Sequence, residues 1–586
     1  MYLRITKVRR PDGHLDEYIR LVESYWNNGS PRHRVICNLG RKELLAPHAG
    51  ALLRLLGGGQ PGTEVASDQV DAIGAWDWGA MLVARRLWQE LGLEAILDQV
   101  DGQNQAEFSD RVLALVANRL IQPSSEHGLA RWLESDFVCD RKGRRWLPQW
   151  REDQERLASK RPRVRVRDQQ LQQWYRTLDR LIGAKEQIER ELFLRLRTLF
   201  SLQVDLVFYD LTSTYFEGHG PDGFAAHGHS RDGKPRNRQV LVGLVMIDGW
   251  PIAHHVFEGQ LRDASTVEQV LQDLEQRFGL RRVVFVGDRG MVTAGNLDWL
   301  RARGQGYLVG LNRRRRPEVL RYIQRATGAW QECAMGIATS EKSVPPKTLV
   351  QEVEADQPGM RVFVVHSEER WAYESAEREK SMARVREELE ALQRRVAAGR
   401  LKASEKIGAA AARVLARNHG YRYYDWELKQ GRFRYFEHPR LKNELAVEGK
   451  YLIQTEEEKL SPTEAVKVYK DLSEVERAFS ELKDVIEMRP IYHQTEKRVR
   501  AHILVASLAF LLQRALEKKL KAAGMDLSAK EAWQTLKTVR VVDIDLGGGR
   551  QKQTVTRGTE RASRILATLG VVDLGPGNQK GRARAA

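Results

Sequence analysis

The chain has 586 residues and a formal net charge of +17, from 95 Lys and Arg residues against 78 Asp and Glu residues. This excess favours a polyanionic partner, and the length allows several domains. The three cysteines are far apart, which argues against a disulfide framework or a cysteine zinc site and favours a reducing cytosol. No secretory signal opens the chain, and the longest apolar run, residues 501–512, is too short to span a bilayer. We therefore expect a soluble, cytoplasmic protein with no membrane partner.

Residues 1–62 are predicted to form a small β region followed by a linker. Apolar and polar residues alternate in the manner of strands through residue 45. Asn27, Asn28 and Gly29 supply a turn between two of these strands. Residues 57–62 read GGGQPG, a composition typical of a linker.

Residues 63–200 are predicted to form a helical, basic DNA-binding region. Apolar residues recur at helical spacing from about 75 to 135. Basic clusters follow at 141–145, where Arg144 and Arg145 are candidate DNA contacts, and at 160–167. Aromatic residues lie among them: Trp146, Trp150, Trp174 and Tyr175. This mixture suits a DNA backbone and exposed bases, although a charged connector between two helical bundles has the same composition.

Residues 201–311 alternate strands with helices. An apolar run at 204–209 predicts a strand buried on both faces that ends at Asp210, and the run at 283–287 predicts another that ends at Asp288. The pattern of strand, hairpin, helix, strand, helix and strand predicts a mixed sheet with helices packed on it, which is an α/β core.

Turn and capping signals support this order of elements. Asp248 and Gly249 predict a two-residue hairpin turn between strands at 239–247 and 251–257. The sequence Ser-Thr-Val-Glu at 265–268 predicts a capping box at the start of the following helix.

Residues 312–455 break this pattern and predict an α+β insertion domain. The insertion begins with a run of arginines that includes Arg313 and Arg314, both candidate DNA contacts. Residues 368–418 predict two antiparallel helices with a bend at Gly399, and an aromatic hairpin and a short strand follow. The core pattern resumes over 456–520, and residues 521–586 are predicted to form a basic tail, partly flexible from Gly547 onward.

Tyr469, Glu476 and Lys483 are spaced by seven residues, which is about two helical turns. On one continuous helix they form a polar stripe beside an apolar one. Taken alone, this stripe is typical of a solvated helix face. The start of the helix is ambiguous, because capping boxes are possible at Ser461 and at Ser473; a restart at Ser473 removes Tyr469 from the stripe.

Three carboxylates are candidates for one metal site. If the strands before Asp210 and Asp288 are neighbours, their side chains converge at the carboxyl end of the sheet, and a packed helix can bring Glu476 to them. Oxygen ligands without thiol or imidazole suit Mg²⁺ or Mn²⁺, and two such ions can hold the attacking and leaving oxygens of a phosphodiester. Taken singly, either aspartate reads as a turn or helix-cap residue.

The motifs around these residues resemble the catalytic blocks of the bacterial insertion-sequence DDE transposases, in the branch with a Tyr-Arg-Glu-Lys signature. Residues 208–217 read FYDLTSTYFE, residues 285–290 read FVGDRG, and the third block contains Tyr469, Glu476 and Lys483. Residues 229–233 (HSRDG), 239–244 (QVLVGL) and 488–493 (MRPIYH), followed by Ala501 and His502, are also similar to family motifs. The resemblance runs from about residue 70 to residue 515.

This resemblance implies a ribonuclease-H-like mixed-sheet core that cuts transposon ends and joins them to target DNA. It implies that Asp210, Asp288 and Glu476 bind two Mg²⁺ or Mn²⁺ ions, and that Tyr469 and Lys483 hold the DNA backbone. The family signature has Arg where this chain has Leu472. Arg477 is a possible substitute, although it points to a different helix face.

Some relatives stabilise a flipped base on a tryptophan of the insertion domain. Trp426 is the candidate that we name for this role, with Trp330 and Trp371 as alternatives and core packing as the default for each. His227 and His229 lie in a glycine-rich loop for which a solvent-facing position is favoured over a metal role. Asp263 is equally compatible with a place near the first metal and with a helix start.

The sequence thus predicts a Mg²⁺-dependent transposase that acts on double-stranded DNA at the inverted-repeat ends of its element and at the target. A homodimer in a paired-end complex, associated with the bacterial nucleoid, is the expected working form. Two alternatives stay open: a non-catalytic or inactive DNA-binding relative, and a nuclease of the same fold that does not join strands.

Overall fold

The computed structural model describes residues 2–27, 30–49, 70–100, 105–146, 166–200, 206–280, 283–288, 291, 293–311, 317–333, 346–547 and 550–576. The chain forms two compact units. The first contains Met1–Ala75 and Val542–Thr554, and the second contains Trp76–Val541 and Val555–Ala586.

The N-terminal sheet of the first unit matches the predicted strands. Strands β1 (Tyr2–Arg9), β2 (Leu15–Asn27) and β3 (Ser30–Arg41) form an antiparallel meander, and a short helix α1 (Lys42–Leu45) follows. Asp16 is buried and accepts a hydrogen bond from Arg10 at 2.7 Å. The expected linker at 57–62 lies outside the described residues.

The helical region of the second unit contains six helices among the described residues: α2 (Gly79–Glu90), α3 (Leu93–Val100), α4 (Gln105–Ile121), α5 (Leu129–Ser135), α6 (Val166–Gly183) and α7 (Lys185–Phe200). Their apolar stripes form one core, in which Trp78, Trp88 and Trp132 are almost fully buried. The helical pattern predicted for residues 75–135 is therefore present.

A nine-stranded mixed sheet forms the centre of the second unit. Its strands are β5 (Leu206–Tyr215), β6 (Gln239–Ile247), β7 (Trp250–Glu258), β8 (Val284–Gly287), β9 (Gly306–Gly310), β10 (Gln331–Cys333), β11 (Thr348–Val353), β12 (Arg361–Ser367) and β15 (Lys450–Thr455). Their order is β10-β11-β12-β15-β9-β8-β5-β6-β7. The pairs β5–β8 and β8–β9 are parallel, and the other pairs are antiparallel. Helices α8 (Val267–Phe278) and α9 (Ala294–Ala302) connect strands of this sheet.

Two local expectations for this sheet are wrong. Strand β5 does not end at Asp210 but continues to Tyr215, because residues 211–215 go on pairing with β6. No capping box starts α8. Ser265 lies instead in a 3₁₀ turn, and its hydroxyl donates to the carbonyl of Arg262 at 2.6 Å.

The inserted segment extends the sheet and carries a separate helical part. Helix α10 (Pro317–Arg325) lies near its start. The helical part contains α11 (Glu368–Ala397), α12 (Ser404–Ala416), the hairpin β13 (Tyr424–Lys429) and β14 (Arg432–Glu437), and α13 (Leu441–Val447). The predicted bend occurs at Gly399, whose φ is +69°. The buried residues of this part form their own core, all between Met382 and Leu441.

Two consecutive helices replace the single helix that the polar stripe requires. Helix α14 (Pro462–Asp471) starts with the predicted capping box at Ser461, and α15 (Ser473–Asp484) follows after Leu472. Leu472 keeps helical backbone angles, with φ of −57° and ψ of −29°, so the axis is interrupted without a sharp turn.

The long apolar helix predicted near residue 500 is α16 (Glu496–Ala522). By length and composition it could cross a membrane, but 89% of its most apolar window is buried within the protein. This burial is typical of a core helix in a soluble protein.

The C-terminal region is folded where we expected a partly flexible tail. It contains α17 (Ala529–Leu536), β16 (Arg540–Asp545), β17 (Gln551–Val555) and α18 (Glu560–Thr568). Both strands join β4 (Asp71–Asp77) in a three-stranded sheet. Ala562, Ile565 and Leu566 bury one face of α18 at helical spacing, so this segment has enough apolar surface to order it.

Candidate active site

A cavity of about 430 Å³ lies beside β5, β8 and α15. It is lined by Asp210, Leu211, Thr212, Arg231, Asp232, Asp263, Asp288, Met291, Glu476, Phe479, Ser480, Lys483, Asp484 and Arg489. The three predicted metal ligands and Lys483 are therefore in one site, although they come from distant parts of the sequence.

The sheet register sets Asp210 beside Asp288. In the parallel pair β5–β8, Phe208 is the partner of Val286, and each aspartate lies two residues further along its strand direction. Successive side chains of a strand alternate between faces, so a residue two positions on returns to the same face. The two carboxylates thus project from equivalent positions of neighbouring strands.

Glu476 reaches the same cavity from the first turn of α15. Val475 and Phe479 of that helix are buried in the main core and fix its orientation. Acidic residues are also favourable at this end of a helix, where the backbone N–H groups lack intrahelical partners.

Burial, together with repulsion from neighbouring carboxylates, raises the pKa values of Asp210 and Glu476. Burial raises the pKa of Asp210 to about 7, and the nearby charges of Asp288 and Glu476 add to the effect. Burial and the charge of Asp288 also raise the pKa of Glu476. A cation placed between these groups would favour their charged forms.

The other three carboxylates of the cavity are paired with its three cations. Arg231 donates to Asp263 at 2.5 Å, and Lys483 Nζ donates to Asp232 Oδ1 at 2.7 Å. Arg489 donates to Asp232 and also to Asp484.

Within the described part of the chain, Asp210, Asp288 and Glu476 form no ion pair. Their oxygen ligands suit a hard divalent cation. The described lining residues include no cysteine and no histidine. His227 and His229 are exposed and do not line the cavity, whereas Asp263 both begins a 3₁₀ turn and lines it.

The remaining signature residues lie outside the cavity. Tyr469 packs against Tyr451, with ring centroids 5.8 Å apart and the ring planes tilted by 31°. Leu472 is only 4% exposed and belongs to the core, which explains why no arginine occupies this position. Arg477 is exposed and lies 3.8 Å from Glu474, on a helix face that does not line the cavity.

The basic cluster at 141–145 is largely occupied by structural contacts. Arg144 is exposed and pairs with Asp140 at 2.7 Å. Arg145 lies 3.9 Å over the ring of Trp76 and donates to the carbonyl of Leu133.

Two aromatic residues near this cluster, Trp146 and Trp174, pack in or against the core. Trp174 is buried, and its ring centroid lies 5.8 Å from that of Trp146. Trp150, the cluster at 160–165, Arg313 and Arg314 lie outside the described residues.

The three candidate tryptophans differ in exposure. Trp426 is half-buried and stacks on Phe433 at 5.7 Å within the core of the helical part. Trp330 packs against a second small core and lies 6.4 Å from His366. Trp371, in the first turn of α11, is 48% exposed and presents the largest ring surface of the three.

Four charged lining residues were not predicted as site residues: Arg231, Asp232, Asp484 and Arg489. The sequence motifs HSRDG at 229–233 and MRPIYH at 488–493 contain three of them. Their charge patterns alone did not indicate that two loops, far apart in sequence, meet at one cavity wall.

The comparisons identify the class of the protein. The transposase DDE domain model matches residues 205–512, more than half of the chain, so the chain belongs to this family. The match spans β5 to α16 and therefore includes every residue that lines the cavity. The mixed sheet at its centre fits a ribonuclease-H-like core.

A second match makes the identification more specific. The N-terminal domain of the IS1634 family transposases matches residues 3–62. Together the two matches confirm the prediction of an insertion-sequence DDE transposase that acts on DNA. A comparison with curated proteins gives no match. Enzymes of this class are transposases or related nucleases and generally use divalent metal ions.

Proposed function

We propose that this transposase is Mg²⁺-dependent, with Mn²⁺ as an alternative, and that Asp210, Asp288 and Glu476 are its catalytic metal ligands. Its reaction is cleavage at the ends of its insertion element followed by strand transfer into target DNA. One observation carries the proposal. Six carboxylates line the cavity, and the three that the described residues leave without an ion pair are these three.

The charge balance of the cavity supports two ions. Two divalent cations offset the three unpaired carboxylates and leave a single positive charge. The single negative charge of a phosphodiester then neutralises the site. One divalent ion would instead leave a net negative cavity that repels the DNA backbone.

The chain's own residues position the reaction. Divalent ions held by Asp210, Asp288 and Glu476 would supply activation of the attacking oxygen and stabilisation of charge on the scissile phosphate. Pairing of β5 with β6 and β8 holds Asp210, Asp288 follows directly after β8, and the core packing of α15 holds Glu476. Lys483 lies at the cavity wall, where its ammonium group would contact a phosphate near the cut.

DNA contacts outside the cavity extend this proposal. Arg144 is exposed in the helical region, and Tyr469 lies on α14 beside the catalytic helix. Trp371 supports base stacking better than Trp426, because its ring is more exposed. A homodimer holding two ends, located with the nucleoid, is the proposed working form.

Substitution of the ligands tests the function. Asp210→Asn, Asp288→Asn and Glu476→Gln should each abolish Mg²⁺-dependent cleavage of a duplex carrying an element end, while DNA affinity stays close to that of the wild type. The DNA flanking the gene, searched for short inverted repeats, supplies this duplex. Asp222→Asn is a matched control, because Asp222 is 95% exposed and outside the cavity. Wild-type cleavage by Glu476→Gln would remove that residue from the mechanism.

The products distinguish the alternatives. Joined products with target DNA support a transposase, and hydrolysed ends alone indicate a nuclease. Metal-independent binding without cleavage indicates a non-catalytic relative.

A further inference from the structure

The cavity lacks the arginine of the family signature but has two other arginines on its wall, Arg231, which pairs with Asp263, and Arg489. Leu472 takes the signature position and is buried in the core. Arg477 does not line the cavity. Arg489, which comes after the end of α15, does line it, next to Lys483.

The side chain of Arg489 is held by two carboxylates. Its guanidinium donates to Asp232 and to Asp484. The side chain is 25% exposed and lines the cavity, and these two hydrogen bonds use one N–H of each terminal nitrogen. An arginine has five N–H donors and commonly binds a phosphate with two of them.

The backbone around Arg489 is fixed on both sides. Before it, the carbonyl of Glu487 accepts from Arg119 at 3.2 Å, and the carbonyl of Met488 accepts from His502 at 2.9 Å. After it, the N–H of Ile491 donates to the carbonyl of Tyr215, at the end of β5, at 2.9 Å. These hydrogen bonds therefore fix the backbone of Arg489 relative to β5, the strand that carries Asp210.

Asp232 joins Arg489 to Lys483. Its carboxylate is 2% exposed, and its Oδ1 accepts from both cations. Its Oδ2 is buried and has no hydrogen-bond partner among the described residues. Asp484 is 56% exposed, so water screens its charge. One buried carboxylate thus holds both cations, and the second carboxylate of this wall faces solvent.

We propose that Arg489 and Lys483 form a two-cation cradle for a DNA phosphate beside the cleavage site, and that Asp232 is the residue that positions both. Arg489 thereby supplies the cationic contact that Leu472 cannot make. The inference rests on the proposed function, because it places DNA in the same cavity.

Phosphate neutralisation tests the cradle without requiring cleavage. The probe is the element-end duplex with single methylphosphonates, which carry no charge, at successive positions around the cleavage site. Binding by the wild type should weaken about 10-fold or more at the phosphate that the cradle holds. In Arg489→Ala, neutralising that phosphate should cause a clearly smaller loss than in the wild type, because only Lys483 still contacts it, and the salt slope of binding should fall by about one. Arg489→Lys, which keeps the positive charge, should keep part of the binding loss that neutralising this phosphate causes in the wild type.

Two further variants make the test specific. Arg477→Ala removes an exposed arginine of α15 and should keep the wild-type interference profile. Asp232→Asn should reduce the loss of binding that neutralising the phosphate causes. Double variants that combine Asp232→Asn with a substitution of Arg489 or of Lys483 measure this effect for each cation. An interference profile in Arg489→Ala that matches the wild type overturns the proposal. If the wild type does not cleave the duplex but its interference profile still depends on Arg489, the proposed function is overturned and the cradle is supported.

Discussion

Asp210 connects the backbone order of the sheet to the chemistry of the cavity. It lies within β5, where its backbone pairs opposite Leu244 of β6, and its side chain points at the other acidic residues. A strand interior holds a carboxylate more rigidly than a loop does, since the flanking residues are hydrogen-bonded on both sides. The same burial raises its pKa to about 7, so a nearby cation would favour the charged form of this residue.

We predict a specific pH dependence of stability in metal-depleted protein. The folded-state pKa of Asp210 is raised above its unfolded value of about 3.9, so the stability from this group is complete below about pH 4 and is lost as the pH rises to about 7. Asp210→Asn removes this loss. The unfolding free energy of the variant minus that of the wild type should increase by up to about 1.4 kcal/mol per pH unit over this range and then level off.

Urea unfolding in EDTA at several pH values measures this difference. Added Mg²⁺ should reverse this difference in unfolding free energy, because the ion stabilises the folded wild type by binding to it. The variant lacks one ligand and should be stabilised less. Parallel pH profiles of the two proteins would show that Asp210 does not titrate in this range.

Restoring the signature arginine should not restore its function. Leu472→Arg places a charge in the main core at a position that is 4% exposed, and we expect a loss of about 3 kcal/mol or more in the free energy of unfolding. Ser473→Arg, at the exposed neighbouring position, should change stability by less than about 0.5 kcal/mol. Chemical denaturation compares the two; a stable Leu472→Arg protein that binds DNA more tightly would contradict the packing argument.

Single residues of the site were predictable to different degrees. The strand pattern and the family resemblance both pointed to Asp210 and Asp288, because an acidic residue after an apolar run is a local signal. The continuation of β5 to Tyr215 was not predictable, since it depends on pairing with β6. Arg489 was also missed, because its place at the cavity follows from contacts with residues more than two hundred positions away.

At the scale of elements, a buried polar network supports the segment that carries Arg489. Arg119 of α4 donates to the carbonyl of Glu487 and lies 3.2 Å from Nδ1 of His502. His493 lies 3.6 Å from Glu126 in the same network. Glu126, His493 and His502 are close enough to hold a metal ion, but both ring nitrogens of His502 are already engaged. The network therefore joins α4 and α16 to the segment that carries Arg489.

Removal of Arg119 should affect catalysis as well as stability. Arg119→Met leaves a buried carbonyl and the Glu126 carboxylate without their cation, so we expect a loss of about 3 kcal/mol in unfolding free energy. Cleavage should fall more than DNA binding, because the peptide before Arg489 loses its anchor. Arg111→Met, two turns earlier on α4, is the control. Equal effects of the two variants on cleavage would argue against a special role for Arg119.

Two strong local signals were predicted correctly, whereas a third, the capping box at 265–268, is absent. The capping box at Ser461 and the turn at Asp248 and Gly249 are present, because each depends on residues close in sequence. The joint at Leu472 left two readings open, since either capping box could start a helix. The structure contains both helices, but only the box at Ser461 is formed; Ser473 is the first residue of α15 and does not cap it, and Tyr469 lies outside the cavity.

At the scale of the whole molecule, the helical part of the insertion is a separable body. Its core lies entirely between Met382 and Leu441. The chain leaves the sheet and returns to it at adjacent points, where the N–H of Ser367 donates to the carbonyl of Gly449 at 2.9 Å. Strand β12 then pairs directly with β15, so the sheet does not depend on the helices between them.

Replacement of residues 373–445 by a short Gly-Ser linker should therefore leave a folded core. We expect one cooperative unfolding transition, with a midpoint within about 5 °C of the wild type, by calorimetry. Strand content should be retained by circular dichroism, and only helix content should fall. Loss of the cooperative transition would show that the insertion is needed for the fold of the sheet.

The long separation of Asp288 from Glu476 affects when the enzyme becomes active. A ribosome makes the N-terminal sheet, the helical region and both aspartates well before it reaches α15. Until Glu476 has emerged and packed against β5, the nascent chain lacks one of the three proposed metal ligands. A product truncated anywhere in the insertion also lacks α16, which is buried in the same core as the helices before β5, so we expect it neither to cut DNA nor to complete that core.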